Sequence, residues 1–98
     1  MLGWRLVRID GYSMEPRIPA GSYGLFRRRP SYAVGDIILV QHPQFGRIVK
    51  QAKTAGVGRY GLQGLAPEST SSEALGTVAL SDILGRLVWL SKPPTGRP

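Results

Sequence analysis

An all-β domain, a small partly closed barrel of short, mostly antiparallel strands, is the fold class this sequence predicts. Three observations predict it. The chain has 98 residues, enough for one hydrophobic core and too few for two. Its 13 glycines and 8 prolines cut it into pieces shorter than a stable helix needs. Between those breaks stand short runs of Val, Ile, Leu, Phe and Trp bounded by turn residues. The hydrophobic fraction of 42% beside 19% charged residues is that of an ordinary globular chain and excludes wholesale disorder.

Residues 4–9 read as the first strand, ending at Asp10-Gly11. In the next segment Pro16 and Pro19 forbid a long helix, so residues 13–19 read as a tight turn or a single helical turn. Residues 22–28 form a second strand closed by Arg29-Pro30, and residues 32–36 a turn. Residues 36–41 are the most apolar strand, buried on both faces. Residues 42–46 connect it to a hairpin partner at 47–53. Residues 54–58 turn again, 59–63 make a short strand, 65–73 a Ser/Thr/Pro-rich loop, and 83–90 the last strand. The domain thus covers residues 1–91, with 92–98 a Pro-rich tail. No internal repeat interrupts this order.

Composition also narrows the chemistry. With no cysteine there are no disulfides and no thiolate metal site, which fits a reducing compartment. The lone histidine, His42, sits in a Gln-His-Pro turn, which disfavours a Ser-His-Asp arrangement. No apolar run approaches the roughly 20 residues that span a bilayer, and Arg5 and Arg8 interrupt the N-terminus where a signal peptide is apolar. The chain reads as soluble, cytoplasmic and not exported, with a membrane-peripheral location left open. The formal charge of +7 raises nucleic acid as a partner. Only Arg27-Arg28-Arg29 form a run, however, and no aromatic residues interleave with it, so no nucleic acid is expected. Weak attraction to an anionic membrane stays open.

Nucleophilic catalysis is left with a serine and a lysine. A serine hydroxyl needs a neighbouring base, and a lysine serves only when neutral, which burial among apolar groups promotes. Lys50 follows Ile48 and Val49 on a strand paired with the apolar 37–40 segment. Lys53 and Lys92 have no such surroundings. Ser13 lies between Gly11 and Pro16, where turn geometry lets a substrate backbone approach closely and exposes N–H groups as an oxyanion hole. For a lone serine and lysine an exposed hydroxyl and a solvated amine would be the better reading. The whole string Gly-x-Ser-Met-x-Pro-x-Ile-x-x-Gly weakens it.

Three stretches, residues 11–21, 34–40 and 46–50, resemble the Ser-Lys peptidases of the type I signal peptidase and LexA-like (S24/S26) superfamily. Their order and spacing match from about residue 9 to residue 90. Pro16, two residues after Met14, makes the chain more similar to the signal peptidase branch. Within that branch its small size and basic character are similar to the soluble maturation proteases of nickel-type superoxide dismutase. The resemblance implies Ser13 as nucleophile, Lys50 as general base and the Ser13 backbone N–H in the oxyanion hole. Gly11 stands where some members carry a second, hydroxyl donor. Ser69 matches the serine that orients the lysine amine. The chain departs from the pattern at Ser71 and Glu73, which replace an Asp/Arg pair, at Gly64-Leu65, which replaces a Gly-Asp-Asn opening, and at Ser22, which replaces an aspartate.

An extended precursor peptide would lie between Ile9-Asp10-Gly11 and Arg47-Ile48-Val49 by strand addition. Ile9, Met14, Ile48 and Val49 would shape shallow pockets for small side chains, although plain core packing is the simpler reading of each alone. No metal or organic cofactor is required. The function implied is removal of an N-terminal leader or pro-segment by a serine endopeptidase. The alternatives are a catalytically silent peptide-binding module of the same fold and a LexA-like self-cleaving core. Oligomeric state, substrate and cleavage sequence are not encoded legibly.

Overall fold

The structure is a computed structural model that describes residues 3–10, 14–15, 17–65 and 72–91. Seven strands form one sheet: β1 (Trp4–Arg8), β2 (Tyr23–Arg27), β3 (Ile37–His42), β4 (Gly46–Gly56), β5 (Arg59–Gln63), β6 (Thr77–Ala79) and β7 (Ile83–Ser91). A single helical turn, α1 (Ser72–Leu75), precedes β6, and a 3-10 turn at Leu80–Asp82 precedes β7. The spatial order is β1-β2-β7-β3-β4-β5-β6, every pairing antiparallel. The all-β class expected from the sequence is the one adopted. The ladder does not close into a barrel, since β1 and β6 stay at its two ends.

The central strand β3 explains how so small a sheet buries two cores. Strand side chains alternate between faces. Ile38 and Val40 join Ala52, Tyr60, Leu62, Leu75, Val78 and Ile83 on one side. Ile37 and Leu39 join Val7, Ile9, Met14, Ile18 and Phe26 on the other. Residues 37–40 are therefore buried on both faces, as their unbroken apolar run predicts. The sheet curls so that its β4-β5-β6 half wraps the first core and its β1-β2 half the second.

Several boundaries differ from the sequence reading. The second hairpin partner runs on to Gly56 instead of stopping at Lys53, because a bulge between Ala52 and Thr54 lets pairing with β5 resume. The turn shrinks to Val57-Gly58. Strand β6 and helix α1 have no counterpart in that reading: three and four residues are too few to show a period. Between β3 and β4, residues 43–45 form the loop, and Gly46 at φ +74° supplies the left-handed residue that such three-residue hairpins use. Among the described residues no helix is long and apolar enough to cross a membrane. The tail at 92–98 lies outside the described residues.

Candidate active site

Lys50 sits opposite Ile38 in the β3–β4 ladder and is 5% exposed. Its strand face carries Ile48 and Ala52, so its stem runs through apolar surroundings. Among the described residues the amine has no hydrogen-bond or ion-pair partner. Burial strips water from the charged form and pulls its pKa below the ordinary lysine value. Lys53, three residues on, is exposed.

The amine's strand borders a cleft of about 240 Å³. Among the described residues one wall is Val7, Arg8, Ile9 and Asp10, the other is Arg47, Ile48, Val49 and Lys50, and Met14 and Leu39 also line it. Four strand spacings separate β1 from β4 in the ladder, about 19 Å in a flat sheet. Both walls border one cleft only because the sheet curls.

Each wall is an open strand edge. Arg28 N–H donates to the Gly3 carbonyl (2.7 Å) and Ile9 N–H to that of Ser22 (2.8 Å), so the odd residues of β1 direct their backbone groups at β2. The alternation of an antiparallel ladder then turns those of Arg8 and Asp10 outward. On β4, Ala52 N–H donates to the Asp36 carbonyl and Gly35 N–H to that of Ala52, both at 2.8 Å. Residues 46, 48, 50 and 52 therefore face β3, and Arg47 and Val49 face away. Pairing with β5 reaches only as far as Gln51, so no described strand covers that side of residues 46–50.

The segment after Ser13 is tied down tightly. Ile18 N–H donates to the Met14 carbonyl (2.9 Å), one helical turn as the prolines predict. Ala20 N–H donates to the Glu15 carboxylate (2.9 Å), and Gly21 N–H to the Ile9 carbonyl (2.7 Å). Met14 and Ile9 are at once core residues, 2% and 4% exposed, and lining of the cleft. Ser22, where the resemblance leads one to expect aspartate, is fully buried and its Oγ donates to the Pro19 carbonyl at 2.6 Å. The roles of Glu15 and Ser22 escaped the sequence, which shows a Glu-Pro and a Gly-Ser pair without showing how the loop folds back.

Gly11, Ser13, Pro16, Ser69 and Ser71 lie outside the described residues. Of the sequence-derived site, the structure brings Ile9, Asp10, Met14, Ile48, Val49 and Lys50 to one cleft. Asp10 and Met14, the nearest described neighbours of Ser13 in the chain, both line it. His42 is occupied elsewhere: its Nε2–H donates to the Leu75 carbonyl (2.7 Å), and its Nδ1 accepts from the N–H groups of Gln44 and Phe45 at 3.0 and 3.2 Å. Among the described residues no group of three His, Asp or Glu side chains comes together.

Comparison with known families finds a match over residues 4–88 to the family described as Peptidase S24-like. No curated protein matches the chain significantly.

Proposed function

Because this chain belongs to the Peptidase S24-like family, we propose that it is a serine endopeptidase that removes an N-terminal leader or pro-segment from a precursor protein. That family consists largely of serine peptidases. One observation supports the reading above the others: a buried lysine with a lowered pKa borders a cleft walled by two open strand edges.

The precursor enters as an extended strand, its backbone bonding to Arg8 and Asp10 on one side and to Arg47 and Val49 on the other. Ile9, Met14, Ile48 and Val49 leave shallow space, so the residue before the cut is small, alanine or glycine. Neutral Lys50 takes the Ser13 proton as Ser13 Oγ bonds to the scissile carbonyl carbon. Backbone N–H groups, that of Ser13 among them, hold the oxyanion. Gly11 offers no side-chain donor there. Lys50 then hands the proton to the leaving amine as the C–N bond breaks. Next it deprotonates the water that attacks the acyl-serine, and Ser13 is regenerated. Ser69 orients the amine. No cofactor takes part.

Pro16, two residues after Met14, makes the chain more similar to the signal peptidase branch. The finer similarity makes the leader of a nickel-type superoxide dismutase the first substrate to test. A serine-reactive acylating probe should label the wild-type chain and neither Ser13→Ala nor Lys50→Ala. If both variants process a candidate precursor as the wild type does, the proposal fails. The departures at Ser71 and Glu73 favour one other reading, a silent peptide-binding module. It requires peptide binding with no labelling at all.

A further inference from the structure

The sheet carries a second surface that peptide cleavage leaves unexplained. Strands β1, β2 and β7 present one face to the Val7–Phe26 core and the other to solvent. Register gives the outer face three cross-strand rows. Leu6, Leu25 and Trp89 form the middle row, Arg8, Tyr23 and Ser91 one flank, and Trp4, Arg27 and Arg86 the other. Leu6 is 64% exposed, Trp89 55% and Tyr23 47%. The Arg27 guanidinium lies 5.1 Å from the centroid of the Trp4 ring, a cation–π contact that holds both side chains on this face.

Exposed apolar residues scattered singly need no explanation, but a contiguous row rimmed by charge marks an interaction surface. Positive charge dominates it: Arg8 and exposed Arg27 stand in its rows, exposed Arg28 and Arg29 continue directly from β2, and the acid beside it, Asp10, is paired with Arg8 at 3.7 Å. A second copy of the chain is a poor occupant, since two-fold pairing would set the arginine rows against each other. A surface of diffuse negative charge with an apolar layer beneath it suits every row. Trp, Tyr and Leu settle at the headgroup boundary, while arginines keep their heads on the phosphates.

We propose that this Leu6–Leu25–Trp89 face docks the protein peripherally on an anionic lipid bilayer. Both tryptophans of the chain sit on the face, so their emission reports on docking directly. The full chain is to be mixed with vesicles of phosphatidylcholine alone and of phosphatidylcholine and phosphatidylglycerol in equal parts. Co-sedimentation and a blue shift of tryptophan emission are expected with the mixed vesicles only, and both should weaken as salt is added. The double variant Leu6→Ser, Trp89→Ser should lose roughly tenfold or more in partitioning. Its circular dichroism and melting curve show whether it is folded. Arg27→Gln, an exposed position, supplies a second variant that should also bind less. The proposal is overturned if mixed vesicles fail to bind, or if folded double variant binds them undiminished. It is likewise overturned if sedimentation velocity shows a dimer that the double variant abolishes.

Discussion

A lysine amine held away from water prefers to lose its proton, and that preference has opposite consequences for activity and for stability. Lys50 titrates below the ordinary lysine value because it is buried. In the proposed mechanism it acts as a base in its neutral form, so kcat/KM should rise with pH until the folded-state pKa is passed, then level off. A profile flat through acidic and neutral pH would count against the mechanism. For stability, between the lowered folded pKa and the ordinary value the unfolded chain binds more protons than the folded one. Stability therefore rises with pH across that window, and at neutral pH the buried amine is a cost. Replacing Lys50 by methionine should raise the melting temperature by a few degrees, about 1 kcal/mol, while lowering kcat by about 10²-fold or more. The burial of Lys50 was legible because Ile48, Val49 and the 37–40 run announce it. The carboxylate of Glu15 bonding to Ala20 was not, because it depends on the path of a loop that no periodicity describes.

Among the elements, the β3–β4 hairpin carries most of the site, and His42 fastens its end. One ring nitrogen accepts from two loop N–H groups and the other donates to the end of α1. His42→Ala should cost about 2 kcal/mol in urea unfolding, because three backbone groups lose their partner at once. Strands β2 and β7 meet at a tighter place. A Cβ added at Gly85 would lie 3.0 Å from the backbone carbon and nitrogen of Arg27, atoms that cannot swing aside. Gly85→Ala should therefore destabilise by about 1–3 kcal/mol, read as a lower denaturation midpoint at unchanged slope. The long strands were legible from alternation and from the turns that bound them. Strand β6 was hidden because three residues reveal no period, and the extension of β4 because a bulge after Ala52 shifts the alternation.

At the level of the molecule, the two cores share one strand. Ile38→Ala opens a void in one and Leu39→Ala in the other, each costing about 2–5 kcal/mol. Because β3 belongs to both, circular dichroism and tryptophan emission should still report a single coincident transition in each variant. The all-β class followed from short segments and abundant turn residues. The open ladder did not, because nothing local in a strand says whether the first will meet the last. The curl of that ladder works like a pair of callipers: β1 and β4 are the jaws, and the intervening strands β2, β7 and β3 are the spring that sets the gap. The width of the cleft is then set at the joints, where Gly24 and Gly85 let neighbouring backbones and rings close in, and under the proposed function that width decides what enters. A change in which peptides fit could arise at these glycines without any alteration in the residues that line the cleft.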